Sequence, residues 1–176
     1  MGLHDIYSKV EDQLHLVLDS NNAEIFQHYH TWNDQFSDLL AIDPDNNKDI
    51  TIPFPAVFFE VDVKSIEQQG NNCQLMNLEI KIHIAHQLMD AGDGEFEQNW
   101  IVFDVADTTH SILQICKPDL FSQWIRTNIT QDFNHGNLYH LILTYVTTYQ
   151  DNSNDLPIGG YYFGPVNLNP ITKENI

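Results

Sequence analysis

Histidines are the residues with the most obvious potential for chemistry, because the chain has nine of them. His28 and His30 form an HxH pair, and His83 and His86 form an HxxH pair. A strand would place the first pair on one face but would point the rings of the second pair to opposite faces. Neither pair has a cysteine or a carboxylate at the spacing of a zinc site. The pattern favours surface or hydrogen-bonded histidines, so we expect no metal and no cofactor.

The acidic loop DPDNNKD at residues 43–49 is a second candidate for metal binding. It begins like the calcium loop of an EF-hand, with oxygen-bearing side chains at positions 1, 3 and 5. Position 6, which requires glycine, is Lys48, and position 12, which requires glutamate, is Phe54. We therefore interpret this segment as a solvated acidic turn.

Motifs for nucleophilic or phosphate chemistry are absent from the sequence. It contains no GxSxG, and neither Cys73 nor Cys116 stands in a recognisable motif with a histidine partner. The pair Gly159-Gly160 lacks the Lys-Ser or Lys-Thr of a phosphate loop. We predict that the protein is not an enzyme and that both cysteines are free thiols. A hydrolase that uses the histidines remains an alternative, and it would require stoichiometric zinc or manganese.

The charge is unusual, because seven Lys and Arg face 25 Asp and Glu and give a formal net charge of -18. Hydrophobic residues make up 42% of the chain, which is too many for a disordered acidic polymer. The acids must then cover the surface of a folded protein. Such a surface repels phosphate and argues against binding to nucleic acids or anionic membranes. The first residues lack the features of a signal peptide, so we expect a soluble chain that is not exported.

The elements that must position these residues are organised around residues 73–87, CQLMNLEIKIHIAHQ, the longest stretch with a period of two. Apolar side chains fall on one face and polar side chains, including His83, on the other. This alternation predicts a strand with one buried and one wet face.

The remaining periodicities predict two helices, three further strands and one short helical piece. The helices are expected at residues 4–20 and 98–116, the strands at 56–63, 120–126 and 138–149, and the helical piece within 23–52. Residues 65–72 are expected to form a loop that returns the chain antiparallel into the long strand. The strand at 138–149 is apolar on both faces, so it belongs inside the sheet or is covered by a neighbouring subunit.

This order predicts an α+β domain over residues 1–151. Two helices pack on one face of a mainly antiparallel sheet of four to five strands that includes a long β-hairpin. Residues 152–176 hold three of the seven prolines and are expected to form an extended C-terminal arm.

Several segments together resemble the tail terminator or tail-completion proteins of tailed bacteriophages and related prophages. They are the first amphipathic helix, the PxVFFEV-like strand, the longer strand ending in IKIHIAHQ, and the helix with VFDVADTTHSILQ. The most specific one is residues 131–151, where a polar loop leads into a strand of the form LYxxxLTYxTTYxD. The resemblance covers most of residues 1–151.

The resemblance implies a structural virion protein of the tail or neck that is assembled in the host cytoplasm. Such proteins form a ring, commonly of six subunits, that caps the tail tube, stops its polymerisation and joins the tail to the head-side connector. The implied partners are further copies of the chain, the tail tube protein and the connector proteins, with DNA only as passing cargo. An acidic lumen would let the duplex slide. As subunit or partner contacts we expect Phe58, Tyr139 and, in the arm, Tyr161, Tyr162 and Phe163.

The same charge also fits a protein of another class. A small acidic inhibitor, either an immunity protein or a DNA mimic, would use its carboxylates to steer onto the basic cleft of a toxin or nuclease. The acids of this chain are spread through its loops instead of lining one helix or strand. This alternative stays open at the level of sequence.

Overall fold

The computed structural model describes residues 3–34, 36, 52–69, 73–87, 97–115, 118–132 and 138–151. The acidic loop at 43–49 and the C-terminal arm therefore lie outside the described residues. The elements in chain order are α1 (Leu3–Leu14), β1 (His28–Thr31), β2 (Ala56–Gln68), β3 (Gln74–Gln87), α2 (Glu97–Ile115), β4 (Ile125–Asp132) and β5 (Leu138–Asp151).

The strands form one five-stranded sheet in the order β1-β2-β3-β5-β4. β1 pairs with β2 in parallel, and every other neighbouring pair is antiparallel. Both helices contribute to a single core cluster with one face of this sheet. The predicted α+β fold, with two helices on one face of a mainly antiparallel sheet and a long hairpin, is confirmed.

β3 is the central strand, as its alternation indicated. It pairs along its length with β2 on one side and with β5 on the other. Four of its apolar side chains face the helices and are at most 1% exposed: Leu78, Ile80, Ile82 and Ile84. β5 is an inner strand between β3 and β4. Its two apolar faces follow from that place in the sheet.

The predicted loop at 65–72 is wrong in its first half, because β2 continues to Gln68. The backbone N–H of Gln69 donates to the carbonyl oxygen of Cys73 at 2.8 Å and closes the hairpin. The side chains from Ser65 to Gln68 are exposed on both faces, which is why their composition resembles a loop. Backbone pairing with β3 holds this end of the hairpin in place of side-chain burial.

The first helix is shorter than its apolar stripe predicted, since α1 ends at Leu14. After the helix, Asp19 stabilises a turn at residues 19–23. Its Oδ1 accepts hydrogen bonds from the backbone N–H groups of Asn21 and Ala23, at 2.8 Å and 2.9 Å. Aspartate stabilises turns through such local bonds, which compete with a continued helix.

The expected helical piece within 23–52 is wrong over His28–Thr31, which form the edge strand β1. The strand expected at 120–126 lies further along the chain, because β4 begins at Ile125. Leu120 has a φ of 72°, so the backbone turns there before the strand can begin. Phe121 contributes a single bridge to Tyr149.

Candidate functional site

The residues expected to contact partners lie in different surroundings. Phe58 is 0% exposed, and its ring packs edge-to-face against Phe36 and Trp32 at centroid distances of 5.2 Å and 5.9 Å. In this conformation it is a packing residue that no partner can reach. Tyr139 is half-buried, and its ring meets that of Phe103 at 5.7 Å. Tyr161, Tyr162 and Phe163 lie outside the described residues.

Phe58 belongs to a second cluster, on the sheet face opposite the helices. We use this name for four buried residues and the four partly buried residues packed against them: Phe36, Ala56, Phe58, Ala85, Trp32, Ile52, Phe54 and Leu138. The second cluster covers one end of this face. The other end carries exposed or half-buried polar side chains.

Two buried histidines lie beneath the second cluster. The prediction that His83 faces water is wrong, because it is 3% exposed, and His140 on β5 is 1% exposed. Nδ1 of His83 lies 3.0 Å from Nε2 of His140, within hydrogen-bonding distance. A bond between two imidazole nitrogens needs one donor and one acceptor, so at least one ring must be neutral.

A carboxylate stands beyond each end of this pair. Oε1 of Glu60 is 3.8 Å from Nε2 of His83, and Oδ2 of Asp132 is 3.5 Å from Nδ1 of His140. The four side chains come from β2, β3, β5 and β4 and form a row across the sheet, which we call the histidine row. At the Glu60 end of the row, Nζ of Lys81 forms an ion pair with Oε1 of Glu60 at 2.5 Å.

The row is built by the register of the strands. Asp132 is directly opposite His140. His83 is opposite Phe58 and Ile142, so it reaches Glu60 and His140 diagonally, two positions along the neighbouring strands. Diagonal neighbours on one face lie roughly 7–8 Å apart at Cα, within reach of long side chains.

The surroundings keep His83 neutral. Burial, together with the charges of His140 and Lys81, lowers its pKa to about 3, although Asp132 acts in the opposite direction. The indole of Trp32 stacks on the His83 ring with a centroid distance of 4.2 Å and an interplanar angle of 10°. Such a pair can hold or exchange a proton, but the cover of Trp32 keeps solvent and substrates away from it.

The HxH pair, His28 and His30, lies on one face of the sheet, because β1 is the strand that this arrangement requires. The rings of His28 and His30 are parallel within 4° at a centroid distance of 6.2 Å. Among the residues that the structure describes, no three His, Cys, Asp or Glu side chains are grouped as metal ligands. His28 instead packs against Phe58 at 5.4 Å, and burial lowers its pKa. These rings extend the histidine-rich end of the sheet.

A second candidate feature is the outer edge of β4, which we call the open edge. β4 is the last strand on its side, and no described strand pairs with its outer edge. Ile125 and Ile129 are 59% and 51% exposed. From Ile125 to Gln131 the strand has no acidic residue and carries a single charge, that of Arg126. An exposed, weakly charged edge rich in β-branched residues is a template for pairing with another chain.

The opposite side of the sheet is also partly open. β1 pairs only with Ala56–Phe59, so β2 from Glu60 to Gln68 has no neighbour on its outer side among the described strands. The hydroxyl of Tyr7 contacts this edge at Val61, at 3.4 Å from the backbone nitrogen and 3.5 Å from the carbonyl oxygen. The described sheet therefore has an open or partly open strand edge on each side.

Sequence patterns missed both features, for different reasons. The open edge left only an ambiguous signal, because the absence of acids between Ile125 and Gln131 is shared by the inner strand β5 from Leu138 to Gln150. The histidine row had none, because His83 and His140 are 57 positions apart and meet only through the diagonal register.

Comparison of the chain with known protein families finds no match, and comparison with curated proteins finds none either. Within the described ranges, no helix is both long enough and apolar enough to cross a membrane.

Proposed function

We propose that this protein is a structural component of the tail terminator type. In this role it forms a ring that caps the tail tube of a bacteriophage, stops tube polymerisation and joins the tail to the head-side connector. The observation that carries the proposal is the pair of strand edges on opposite sides of one sheet, at β4 and at the outer half of β2. Different edges on opposite sides suit the head-to-tail contacts from which rings are built.

The direction of the strands supports such a contact. Along the order β2-β3-β5-β4 every pair is antiparallel, so β4 runs antiparallel to β2. A copy related by rotation about an axis along the strands would bring its own β2 antiparallel to β4. The lengths also match, with eight residues in β4 and a comparable stretch of β2 beyond Phe59. The contact would continue the pairing that the sheet already uses.

The charge supports the same role. A net charge of -18 makes two copies repel each other, so an interface must lie where acids are scarce. The open edge is such a place, because residues 125–131 include no acid, and it would meet the acidic side chains of the β2 edge, Glu60, Asp62 and Glu67, without placing a second set of acids against them. Acids elsewhere on the ring would keep passing DNA from adhering to its wall.

The test is the mass of the full chain by light scattering over a range of concentrations, with negative-stain images. The wild type is expected to form closed rings near six copies, alone or on addition of tail tubes from the phage or prophage that encodes it. A variant with both Ile125→Lys and Ile129→Lys is expected to stay monomeric and to leave tube ends uncapped, because lysine blocks edge pairing.

Ile115→Lys is the control for an added lysine, since this isoleucine is 77% exposed at the end of α2 and belongs to neither strand edge. It should assemble like the wild type. A monomer or dimer that ignores tubes and captures a basic protein would overturn the proposal in favour of an acidic inhibitor. Rings that survive the double β4 substitution would show that another surface joins the subunits.

A further inference from the structure

The histidine row and its cover form a unit that ring formation does not require. Trp32 lies over His83, and its ring is also 5.3 Å from that of His140. Phe36 meets His140 edge-to-face at 5.0 Å. Two aromatic rings therefore rest on two imidazoles whose hydrogen bond depends on their being neutral or sharing one proton.

We propose that the histidine pair is an acid-sensitive lock on this cover. When both rings take up a proton from solvent, each becomes a donor at both nitrogens and neither can accept, so the bond between Nδ1 of His83 and Nε2 of His140 is lost. Two like charges at this separation in a buried site also repel each other. The pair separates, Trp32 leaves its stacked position, and Phe58 beneath it becomes accessible.

Charged groups on every neighbouring strand determine the pH at which the histidine pair is protonated and the cover opens. Glu60 on β2 and Asp132 on β4 face the outer nitrogens of the pair and favour protonation, while Lys81 on β3 opposes it. β1 brings two more histidines, His28 and His30, to the same face beside Phe58. Acid would therefore charge this end of the sheet at several points.

The linkage between proton binding and opening of the cover determines how strongly the opening equilibrium depends on pH. Once the pH is below the ordinary histidine pKa of about 6.5, each further unit raises the opening constant about tenfold per histidine, for as long as the closed state stays neutral. One unit therefore gives up to a hundredfold change for the pair. A cover that is closed at pH 7 should open at a mildly acidic pH, before the main core on the other face unfolds.

The experiment is a pH titration of the full chain from 7.5 to 3.5. NMR follows the ring nitrogens of the histidines and the indole N–H of Trp32, which a Trp32→Phe sample assigns, and far-UV circular dichroism follows the sheet. We expect His83 to stay neutral at pH 6, so that the pair carries at most one proton. The Trp32 signal should change in acid while the circular dichroism is still native.

Two charge variants give opposite predictions for the midpoint of the Trp32 transition. Asp132→Asn removes a charge that favours protonation, so the midpoint should move to lower pH by several tenths of a unit or more. Lys81→Gln removes an opposing charge and leaves Glu60 without its lysine, so the midpoint should move to higher pH. Neither side chain is part of the apolar core, and circular dichroism at pH 7.5 checks that both variants fold.

Three results would overturn the lock. The first is a Trp32 midpoint that neither charge variant moves. The second is loss of the Trp32 signal only together with the sheet signal. The third, which needs no variant, is protonation of both rings near pH 6.5 in the wild type while Trp32 stays stacked. The lock would operate whether or not the protein forms rings.

Discussion

At the scale of single residues, His83 is a buried base that makes stability depend on pH. Its pKa is about 3 in the fold against an ordinary 6.5, so below pH 6.5 the unfolded chain binds more protons than the folded one. The contribution of the neutral ring to stability is therefore complete above pH 6.5 and declines as the pH falls towards 3. Between pH 6.5 and pH 5 the loss is about 2 kcal/mol.

The substitution His83→Gln should flatten this dependence. Urea unfolding at pH 7.5 should show the variant to be less stable by roughly 1–3 kcal/mol, because it loses a buried hydrogen bond and the stacking with Trp32. At pH 5 the deficit should shrink, because glutamine has no proton to gain. His4→Gln, at an exposed position of α1, is the control. An equal deficit at both pH values would contradict the buried neutral state of His83.

Phe58→Ala separates a packing role from a contact role. Because the ring is 0% exposed, its removal should leave a cavity and lower the free energy of unfolding by about 3–5 kcal/mol. The exposed Ile129 should behave differently, and Ile129→Ala should change stability by less than about 0.5 kcal/mol. Calorimetry or urea unfolding of both variants makes the comparison. A stable Phe58→Ala chain that fails to bind a partner would instead favour the contact role expected from sequence.

Residue roles were predictable only where they follow from local alternation. The helix-facing side of β3, from Leu78 to Ile84, followed from a period of two. The same rule failed for His83, because a period assigns side chains to faces and does not say which part of a face is covered. Trp32 covers it from a segment some 50 positions earlier in the chain. Such long-range packing leaves no mark in the residues around His83.

At the scale of elements, the predictions held where burial and backbone pairing agree. α2 and β5 begin and end within two residues of their expected limits, since apolar periodicity runs through both. The outer end of β2 was missed because only backbone bonds to β3 hold it. β1 was missed because four residues are too few to show a period, and its strand form depends on pairing with β2.

The contact between α1 and the edge of β2 makes a testable prediction for these elements. Tyr7→Phe removes the hydroxyl that bonds the backbone of Val61. The amide of Val61 should then exchange with solvent faster, and stability should fall by about 0.5–1.5 kcal/mol. Hydrogen exchange measured by NMR tests this, and the amide of Ile82 in the central strand serves as the internal reference. Unchanged exchange at Val61 would show that this hydroxyl does not protect the edge.

At the scale of the whole molecule, the arrangement of charge matters more than its total. Part of the acidity of the sheet is neutralised locally, since Lys64 bonds Asp62 at 2.6 Å and Glu79 at 3.0 Å. Exposed ion pairs of this kind contribute little to stability, and salt screens them. With seven basic residues against 25 acids, most of the acidic charge has no such partner and the chain repels itself.

Salt should therefore stabilise this protein. Raising NaCl from 0.01 M to 0.15 M shortens the Debye length from about 30 Å to about 8 Å, which screens repulsion between distant acids more than it weakens bonds of about 3 Å. We expect a gain of roughly 1–2 kcal/mol, or about 3–6 °C in Tm. Differential scanning calorimetry at pH 7.5 measures it, with a neutral solute of equal osmolality as control. An unchanged or lower Tm would mean that local ion pairs such as Lys64–Asp62 outweigh the repulsion. The same screening should strengthen association through the open edge, because the approaching copies are both acidic.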